Sequence, residues 1–146
     1  MNRSRATDAL TVKKPVSSDQ QGKIAGLAVV VMAAGLGKRM RSKQAKVLHP
    51  VAGQAMVLYS VGLGLRVAGG AVAVVVGHQA DLVRQVIDRA TSGKSGSSPV
   101  AIVEQREQLG TGHAVLQSRP VFAVGTNGAP SSYLILNRDT PLLQET

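Results

Sequence analysis

The feature that most constrains the fold of this chain is a set of four short apolar runs in which polar and apolar residues do not alternate. Their sequences are LAVVVMAA (27–34), VAVVV (72–76), VAIV (100–103) and YLIL (133–136). A strand that is apolar at every position is buried on both faces, which is typical of a parallel sheet covered by helices. The runs therefore predict four strands of such a sheet.

Segments with helical patterns separate these runs. Residues 81–90 carry an apolar stripe at helical spacing, and residues 54–69 and 110–118 are also predicted to be helical, the last with Thr111 as its N-cap. Because crossovers between parallel strands are right-handed, the order β-α-β-α-β-α-β predicts a Rossmann-like α/β fold, with an open, mostly parallel sheet and helices on both faces. The stripe on residues 81–90 consists of Leu82, Val83, Val86 and Ile87.

Three segments lack the patterns of strands and helices. Residues 1–26 are polar, show no sustained periodicity and hold five basic and two acidic residues. We interpret them as a flexible basic leader in front of a domain at residues 27–146. Residues 91–99 and 118–132 are rich in Gly, Ser and Pro and are predicted to be linkers.

The composition excludes several classes of protein. The 146 residues include no cysteine, which rules out disulfides, thiolate catalysis and cysteine-based zinc sites. No apolar run approaches the roughly 18 residues of a membrane span, and no hydrophobic signal segment precedes the polar N-terminal stretch. We therefore expect a cytoplasmic protein without membrane association.

The positive charge of the chain is concentrated in one loop. The formal net charge is +9, and residues 36–46 hold five basic residues and no acidic one. Proteins that bind nucleic acid usually interleave basic residues with stacking aromatics, whereas the aromatic residues here are only Tyr59, Phe122 and Tyr133. Nucleic-acid binding is therefore disfavoured, although it is kept as an alternative.

The notable polar residues follow the predicted strands. Residues 35–46 come after the first strand, residues 105–111 after the third and Asp139 after the fourth. Ligands of open α/β sheets bind beyond the carboxyl ends of the strands. The three loops are therefore expected to converge on one ligand site.

The first of these loops combines glycines with basic side chains. It fails the dinucleotide-binding fingerprint because Met40 occupies the third glycine position, and it fails the P-loop pattern as well. Gly35 and Gly37 still allow backbone N–H groups to approach a ligand closely, and the Arg39 side chain can donate two hydrogen bonds to phosphate oxygens. This pattern favours phosphate binding, and the alternative is a tight turn with solvated lysines.

Three motifs in this chain resemble a known family. The segment AAGLGKRMRSKQAKVLHPVAGQAM (33–56) is similar to the signature of sugar-1-phosphate nucleotidyltransferases. With QREQLGTGHAV (105–115) and DTPLL (139–143), the chain resembles the uridylyltransferase half of the bifunctional N-acetylglucosamine-1-phosphate uridylyltransferases/glucosamine-1-phosphate acetyltransferases. The resemblance extends over residues 27–143 and implies a nucleotidyltransferase-type fold that is truncated in this chain.

The resemblance also implies a reaction and a set of site residues. UTP and N-acetylglucosamine 1-phosphate would give UDP-N-acetylglucosamine, a precursor of peptidoglycan and lipopolysaccharide, and pyrophosphate, with Mg²⁺ as cofactor. Arg39 would clamp the triphosphate, Lys46 would stabilise charge at the reacting phosphate, and Asp139 would bind Mg²⁺. The implied nucleotide-binding residues are Ala33, Ala34, Gly35, Gly37, Gln105, Gln108, Gly110 and Thr111.

Residue type alone leaves other roles open for several of these positions. Without the motif, ordinary surface amides would be the favoured interpretation of Gln105 and Gln108, and an isolated aspartate such as Asp139 is as often a helix cap or turn residue as a metal ligand. The resemblance gives no acid or base role to His49 or His113, which are expected to be structural. His78 is expected to be a turn residue.

Two features depart from the family pattern. Arg138 stands where the family carries a glycine directly before the metal-binding aspartate, which predicts weak or absent Mg²⁺-dependent turnover. The sequence also stops at Thr146, before the rest of the catalytic sheet and the acetyltransferase domain that the resemblance implies. An alternative function is therefore a non-catalytic nucleotide-binding fragment or degenerate copy. Formation of a homo-oligomer is left open.

Overall fold

The computed structural model describes residues 22–35, 45–69, 71–77, 79–92, 99–107, 109–123 and 129–137, and the statements below concern those residues. In chain order, the strands are β1 (Leu27–Ala33), β2 (Pro50–Val51), β3 (Gln54–Ala55), β4 (Val72–Val76), β5 (Val100–Glu104) and β6 (Ser132–Asn137). The helices are α1 (Met56–Val67), α2 (Ala80–Thr91), α3 (Thr111–Gln117) and α4 (Arg119–Ala123), and Lys46–Leu48 form a short 3₁₀ helix.

The main sheet has four strands in the order β5-β4-β1-β6, and all neighbours are parallel. At the centre, Val30 of β1 pairs with Ala73 of β4 and with Ile135 of β6. Every residue of β1 and β4 is buried, as their unbroken apolar runs predict. The open, parallel α/β sheet predicted from the sequence is confirmed. The strands β2 and β3 form a separate antiparallel hairpin.

The helices cover the two faces of the main sheet. α1 and α2 lie over the face that carries Val29 and Val31, in the larger of two hydrophobic clusters. α3 and α4 lie over the opposite face, where Val30 and Phe122 belong to the second cluster. Helices on both faces leave the strand ends as the accessible edge of the fold.

The outer strand β6 corrects one expectation from the sequence. Leu136 is buried and Leu134 half-buried on the α1 side, but Tyr133 and Ile135 are 52% and 48% exposed. The prediction that this run is buried on both faces is therefore wrong for the part of the chain that the structure describes. As an outer strand covered on one face, β6 buries alternate side chains only.

The helix α2 is covered along a narrower stripe than predicted. Val83 and Ile87 are buried and Val86 is half-buried, whereas Leu82 is 47% exposed. The hydrophobic spacing predicted the helix correctly. It did not predict how little of the helix surface the sheet would cover.

The linker predicted at residues 118–132 contains the helix α4. Phe122 of this helix is buried, and its ring packs edge-on against Tyr133 with centroids 5.4 Å apart. Pro120 lies in the first helical turn, where a missing N–H costs no hydrogen bond. The proline that made this segment resemble a linker is therefore compatible with a helix start.

The backbone at Ile24, before the first strand, makes hydrogen bonds to the end of α1. The Ile24 N–H donates to the Val67 carbonyl at 2.9 Å, and the Gly69 N–H donates to the Ile24 carbonyl at 3.0 Å. The last residues of the segment assigned to the leader are thus tied to the end of α1, while residues 1–21 lie outside the described residues. Among the described helices, none has the length and apolar character needed to cross a membrane.

Candidate functional site

A pocket of ≈ 220 Å³ opens at the carboxyl edge of the main sheet. It lies where the chain order reverses, since β4 and β5 are on one side of β1 and β6 is on the other. This is the position at which open α/β sheets bind ligands. Its walls are formed by Met32, Ala34, Gly35, Gln105, Gly110, Thr111, Ala114 and Asn137.

Five of the eight lining residues are among the nucleotide-binding residues that the family resemblance implies. They are Ala34, Gly35, Gln105, Gly110 and Thr111. They come from two separate loops, after β1 and after β5, which the topology brings to one edge. The predicted convergence is therefore seen for these two loops, whereas the third, which carries Asp139, lies outside the described residues.

The backbone after β1 is held close to the backbone after β4. A Cβ atom added at Gly77 would lie 2.6 Å from the Ala34 carbonyl oxygen, so only glycine fits there. Ala34 is buried and Gly35 is exposed, which leaves the backbone of Gly35 accessible at the pocket rim. Ala33 does not line the pocket, since it belongs to the cluster beneath α1.

The Gln105 side chain is one of three polar side chains that line the pocket, with Thr111 and Asn137, and it is only 5% exposed. Its amide nitrogen lies 3.3 Å from the Gly110 carbonyl oxygen and 3.1 Å from His113 Nδ1. The second ring nitrogen, His113 Nε2, lies 3.0 Å from the Gln117 amide nitrogen. Residue type alone suggests a surface amide at this position, but the Gln105 side chain is buried and held in place by hydrogen bonds.

Gly110 has a backbone conformation that other residues rarely adopt, with φ 95° and ψ 179°. Its carbonyl accepts hydrogen bonds from the Gln105 amide and, at 3.2 Å, from the Ala114 N–H. Gly110, rather than the predicted Thr111, is the N-cap of α3, and no side chain caps this helix. The Thr111 assignment is wrong because the turn needs a glycine at this point.

The end of β6 forms the opposite wall. Asn137 lines the pocket, and its carbonyl accepts a hydrogen bond from Ser60 Oγ at 3.1 Å. Ser60 lies on α1 and is buried, so it fixes the end of β6 against that helix. Two residues further along the sequence comes Asp139, which lies outside the described residues.

Sequence reasoning missed three lining residues: Met32, Ala114 and Asn137. Met32 and Asn137 pair with each other across β1 and β6, so their place follows from strand register. Nothing in the motifs marks them as binding residues. The sequence indicates Met32 and Asn137 only through their positions near the carboxyl ends of predicted strands.

Lys46 is the first residue of the 3₁₀ helix and is not among the residues that line the pocket. The preceding Ala45 N–H donates to Gln79 Oε1 at 2.7 Å. Gln79 has a left-handed backbone, with φ 62°, and directly precedes α2. The segment that carries Lys46 is therefore anchored to the start of α2.

Several implied site residues lie outside the described residues, namely Gly37, Arg39, Gln108 and Asp139, as do Arg138 and His78. Within the described ranges, no group of three or more His, Cys, Asp or Glu side chains is placed to hold a metal ion. Among the side-chain nitrogen and oxygen atoms of these ranges, His49 Nε2 is the one that is buried and has no hydrogen-bond partner. Its expected structural role stays a prediction.

The pocket combines polar side chains with accessible main chain. The buried Gln105 amide, Thr111 and Asn137 are its polar residues, and Gly35 and Gly110 contribute backbone without a side chain. Pockets of this kind fix the orientation of a ligand through a few placed polar groups.

The sequence is similar to a group of curated relatives. The protein named bifunctional protein GlmU from Cupriavidus metallidurans is 43% identical to this chain, in a match that covers 78% of this chain and 22% of that protein. The protein of the same name from Anaeromyxobacter sp. strain K is also 43% identical, over 81% of this chain and 22% of that protein. The protein of that name from Solibacter usitatus is 41% identical (81% and 23%). The chain therefore spans about a fifth of the length of these relatives.

A solved structure shares the fold. The inositol-1-phosphate CTP transferase from T. maritima superposes with a TM-score of 0.56 over 77% of this chain and 43% of that one, at 23% identity. No family model matches the sequence. Because more than 40% of residues are identical over about four fifths of its length, the chain corresponds in sequence to one segment of the bifunctional GlmU proteins.

Proposed function

We propose that this chain is part of a sugar-1-phosphate nucleotidyltransferase domain that binds UTP. The uridylyl group would be transferred to N-acetylglucosamine 1-phosphate, with UDP-N-acetylglucosamine and pyrophosphate as products. The observation that carries the proposal is the pocket itself, in which Gln105, Gly110 and the residues after β1 meet. The similarity to the bifunctional GlmU proteins supports the same function.

The base of the nucleotide would occupy the pocket. Gln105 would contact the base edge, and Gly110 would let the main chain pass close to the nucleotide. The backbone of Ala33, Ala34 and Gly35 would contact the uridine from the end of β1. Gln108 would read the base edge beside Gln105, and Thr111 would lie close to the nucleotide at the start of α3.

The triphosphate would extend along the basic segment after β1. An oxygen of the sugar phosphate attacks the α-phosphorus of UTP, the bond to the β-phosphate oxygen breaks, and pyrophosphate leaves with that oxygen. Both reactants are anions, so catalysis rests on positioning and on neutralising charge. Arg39 and Gly37 would hold the triphosphate, and Lys46 would stabilise charge at the reacting phosphate.

The proposal assigns Mg²⁺ to Asp139. Asn137 lines the pocket, so a carboxylate two residues further along the chain suits a metal at the same edge. Mg²⁺ prefers carboxylate and phosphate oxygens, and when bound it would supply further positive charge beside the triphosphate. Asp139 would hold the ion there.

Isothermal titration calorimetry of the purified chain with UTP tests the proposal, first with Mg²⁺ and then with EDTA. We expect micromolar binding that weakens without the metal. The variant Gln105→Leu should lose affinity for UTP, because it removes the buried amide of the pocket while keeping a side chain of similar volume. A folded chain that binds no UTP under either condition would refute the proposal.

A second candidate is a nucleotide-binding fragment without catalysis, which Arg138 favours. A cation directly before Asp139 can pair with that carboxylate and compete with Mg²⁺. Release of pyrophosphate, measured with the wild type and with Arg138→Gly, distinguishes the two candidates. If the wild type binds UTP without releasing pyrophosphate and Arg138→Gly releases more, the second candidate is supported. Full activity of the wild type would exclude it.

Other parts of the sequence interpretation stay predictions. These are the cytoplasmic location, the homo-oligomer and the disfavoured nucleic-acid binding. A gel shift with unrelated oligonucleotides at two salt concentrations tests the last of them, since binding through phosphates is sensitive to salt.

A further inference from the structure

We propose that His113 determines which pyrimidine the pocket accepts, by holding the Gln105 side-chain amide with its oxygen toward the ligand. The inference rests on the proposed function, because it concerns the base that the same pocket binds. His113 is not among the residues that line the pocket. It acts through Gln105 and is therefore a positioning residue.

Two acceptors flank the Gln105 amide nitrogen. The Gly110 carbonyl oxygen, at 3.3 Å, can only accept a hydrogen bond, and it therefore fixes the nitrogen on that side of the amide. The second amide hydrogen points to His113 Nδ1, 3.1 Å away. If the amide turned over, its oxygen would face the Gly110 carbonyl oxygen, and that hydrogen bond would be lost; the contact with Nδ1 would be lost too, unless the ring changed tautomer.

This arrangement requires one tautomer of the His113 ring. Nδ1 accepts from Gln105 and carries no proton, so the proton of the neutral ring is on Nε2. Nε2 lies 3.0 Å from the Gln117 amide nitrogen, one helical turn further along α3. A neutral ring accepts at only one nitrogen, and the Gly110 carbonyl holds the Gln105 nitrogen toward Nδ1, so in this tautomer the Gln117 amide is turned to accept the Nε2 proton with its oxygen.

The oxygen of the Gln105 amide is then the atom offered to a ligand. Both hydrogens of the Gln105 amide are used inside the protein. Among the described residues, His49 Nε2 is the only fully buried side-chain nitrogen or oxygen without a hydrogen-bond partner. Gln105 Oε1 is therefore open to the pocket. An oxygen in this position accepts hydrogen bonds and cannot donate them.

The two common pyrimidines differ at the atom that would meet this oxygen. The N3 atom of uracil carries a hydrogen and donates, whereas N3 of cytosine has a lone pair and only accepts. A site built around a hydrogen bond rejects a ligand that leaves a buried polar group unpaired. The fixed amide therefore favours uracil over cytosine. Thymine presents the same N3–H, and this contact does not exclude it.

The test compares the Kd values of UTP and CTP by calorimetry for the wild type and three variants. The wild type should favour UTP. His113→Phe keeps the ring but removes Nδ1, so the amide is free to turn, and the ratio of CTP to UTP Kd should fall about tenfold or more. His113→Asn places an oxygen near the Nδ1 position and should restore most of the preference. Leu116→Ala, at an exposed site on the same helix, is the control and should leave the ratio unchanged.

A second measurement does not depend on binding. The ¹⁵N shifts of the His113 ring in the free protein report which nitrogen carries the proton, and we expect Nδ1 to be unprotonated. A proton on Nδ1 of the neutral ring would overturn the inference. An unchanged ratio of Kd values in folded His113→Phe would overturn it as well.

The outcomes also separate this inference from the proposed function. Wild-type protein that binds UTP while His113→Phe leaves the preference unchanged would refute only the role of His113. Wild-type protein that is folded but binds neither nucleotide would refute the proposed function and this inference together.

Discussion

At the scale of single residues, Gly110 shows how one backbone conformation supports the site. With φ 95° and ψ 179°, it directs its carbonyl to Gln105 and begins α3. A Cβ atom there would meet no atom within 4 Å. The demand for glycine therefore comes from the backbone angles and not from lack of space.

The variant Gly110→Ala should lower the free energy of unfolding by about 1–3 kcal/mol, the usual cost of a strained backbone position. It should also weaken UTP binding, because the carbonyl that holds the Gln105 amide would move. Urea denaturation and calorimetry measure the two effects.

Gly112→Ala is the matched control for this variant. Gly112 lies two residues away inside α3, where a Cβ atom also has open space. Alanine should be neutral there or stabilise the protein by up to about 1 kcal/mol, since it favours helix more than glycine does. Equal losses of stability in both variants would show that the backbone angles of Gly110 are not the cause.

At the scale of secondary-structure elements, the packing of α1 on the sheet depends on a glycine. A Cβ atom at Gly64 would lie 3.1 Å from Val29 Cγ1 and 3.4 Å from Val72 Cγ1, and both valines are buried in the core. At Gly62 the nearest atom would be Arg66 Nη1 at 3.6 Å, an ordinary contact with a flexible side chain. The two glycines of one helix thus have different surroundings.

We expect opposite signs for the two alanine variants. Gly62→Ala should stabilise the protein by up to about 1 kcal/mol through helix propensity, whereas Gly64→Ala should destabilise it, because overpacking a core costs about 1–3 kcal/mol. Chemical denaturation of both variants measures the difference. A stabilising Gly64→Ala would mean that α1 can move away from the sheet at little cost.

The anchoring of the Lys46 segment gives a prediction for a loop. Gln79→Met keeps the length of the side chain but loses the oxygen that accepts from the Ala45 N–H. If Lys46 acts at the reacting phosphate, the affinity for UTP should fall by about threefold to tenfold, since one hydrogen bond contributes about 0.5–1.5 kcal/mol. Gln79→Glu keeps an acceptor and should lose less affinity. Equal affinities for wild type and Gln79→Met would contradict the role given to this anchor.

At the scale of the whole molecule, the pocket connects parts of the chain that are distant in sequence. Its walls come from the ends of β1, β5 and β6 and the start of α3. A ligand that touches all of them stabilises the folded state over the unfolded one. At a ligand concentration of 100 times Kd this effect is about 2.7 kcal/mol.

UTP with Mg²⁺ should therefore raise the midpoint of thermal unfolding, and the rise should grow with concentration. Differential scanning calorimetry over a series of UTP concentrations measures it, and inorganic phosphate serves as the control for a general anion effect. The same rise with phosphate as with UTP would mean that the base pocket adds nothing to binding.

The amino-acid sequence by itself predicted the architecture of this chain. Unbroken apolar runs indicated the buried strands, and the spacing of Val83, Val86 and Ile87 indicated a helix, because burial of apolar side chains follows local periodicity. The motifs also predicted a binding role for Gln105 and Gly110, which stays a prediction, and the structure places both residues at the pocket.

Tertiary structure alone decided the details that give the pocket its chemistry. The sequence could not show that Gln105 is buried with its nitrogen toward Gly110 and His113, because those contacts depend on the turn between β5 and α3. It could not show that Asn137 faces Met32, which depends on the register of two strands far apart along the chain. Local patterns determine which elements form, whereas orientation and register are set by packing between distant segments.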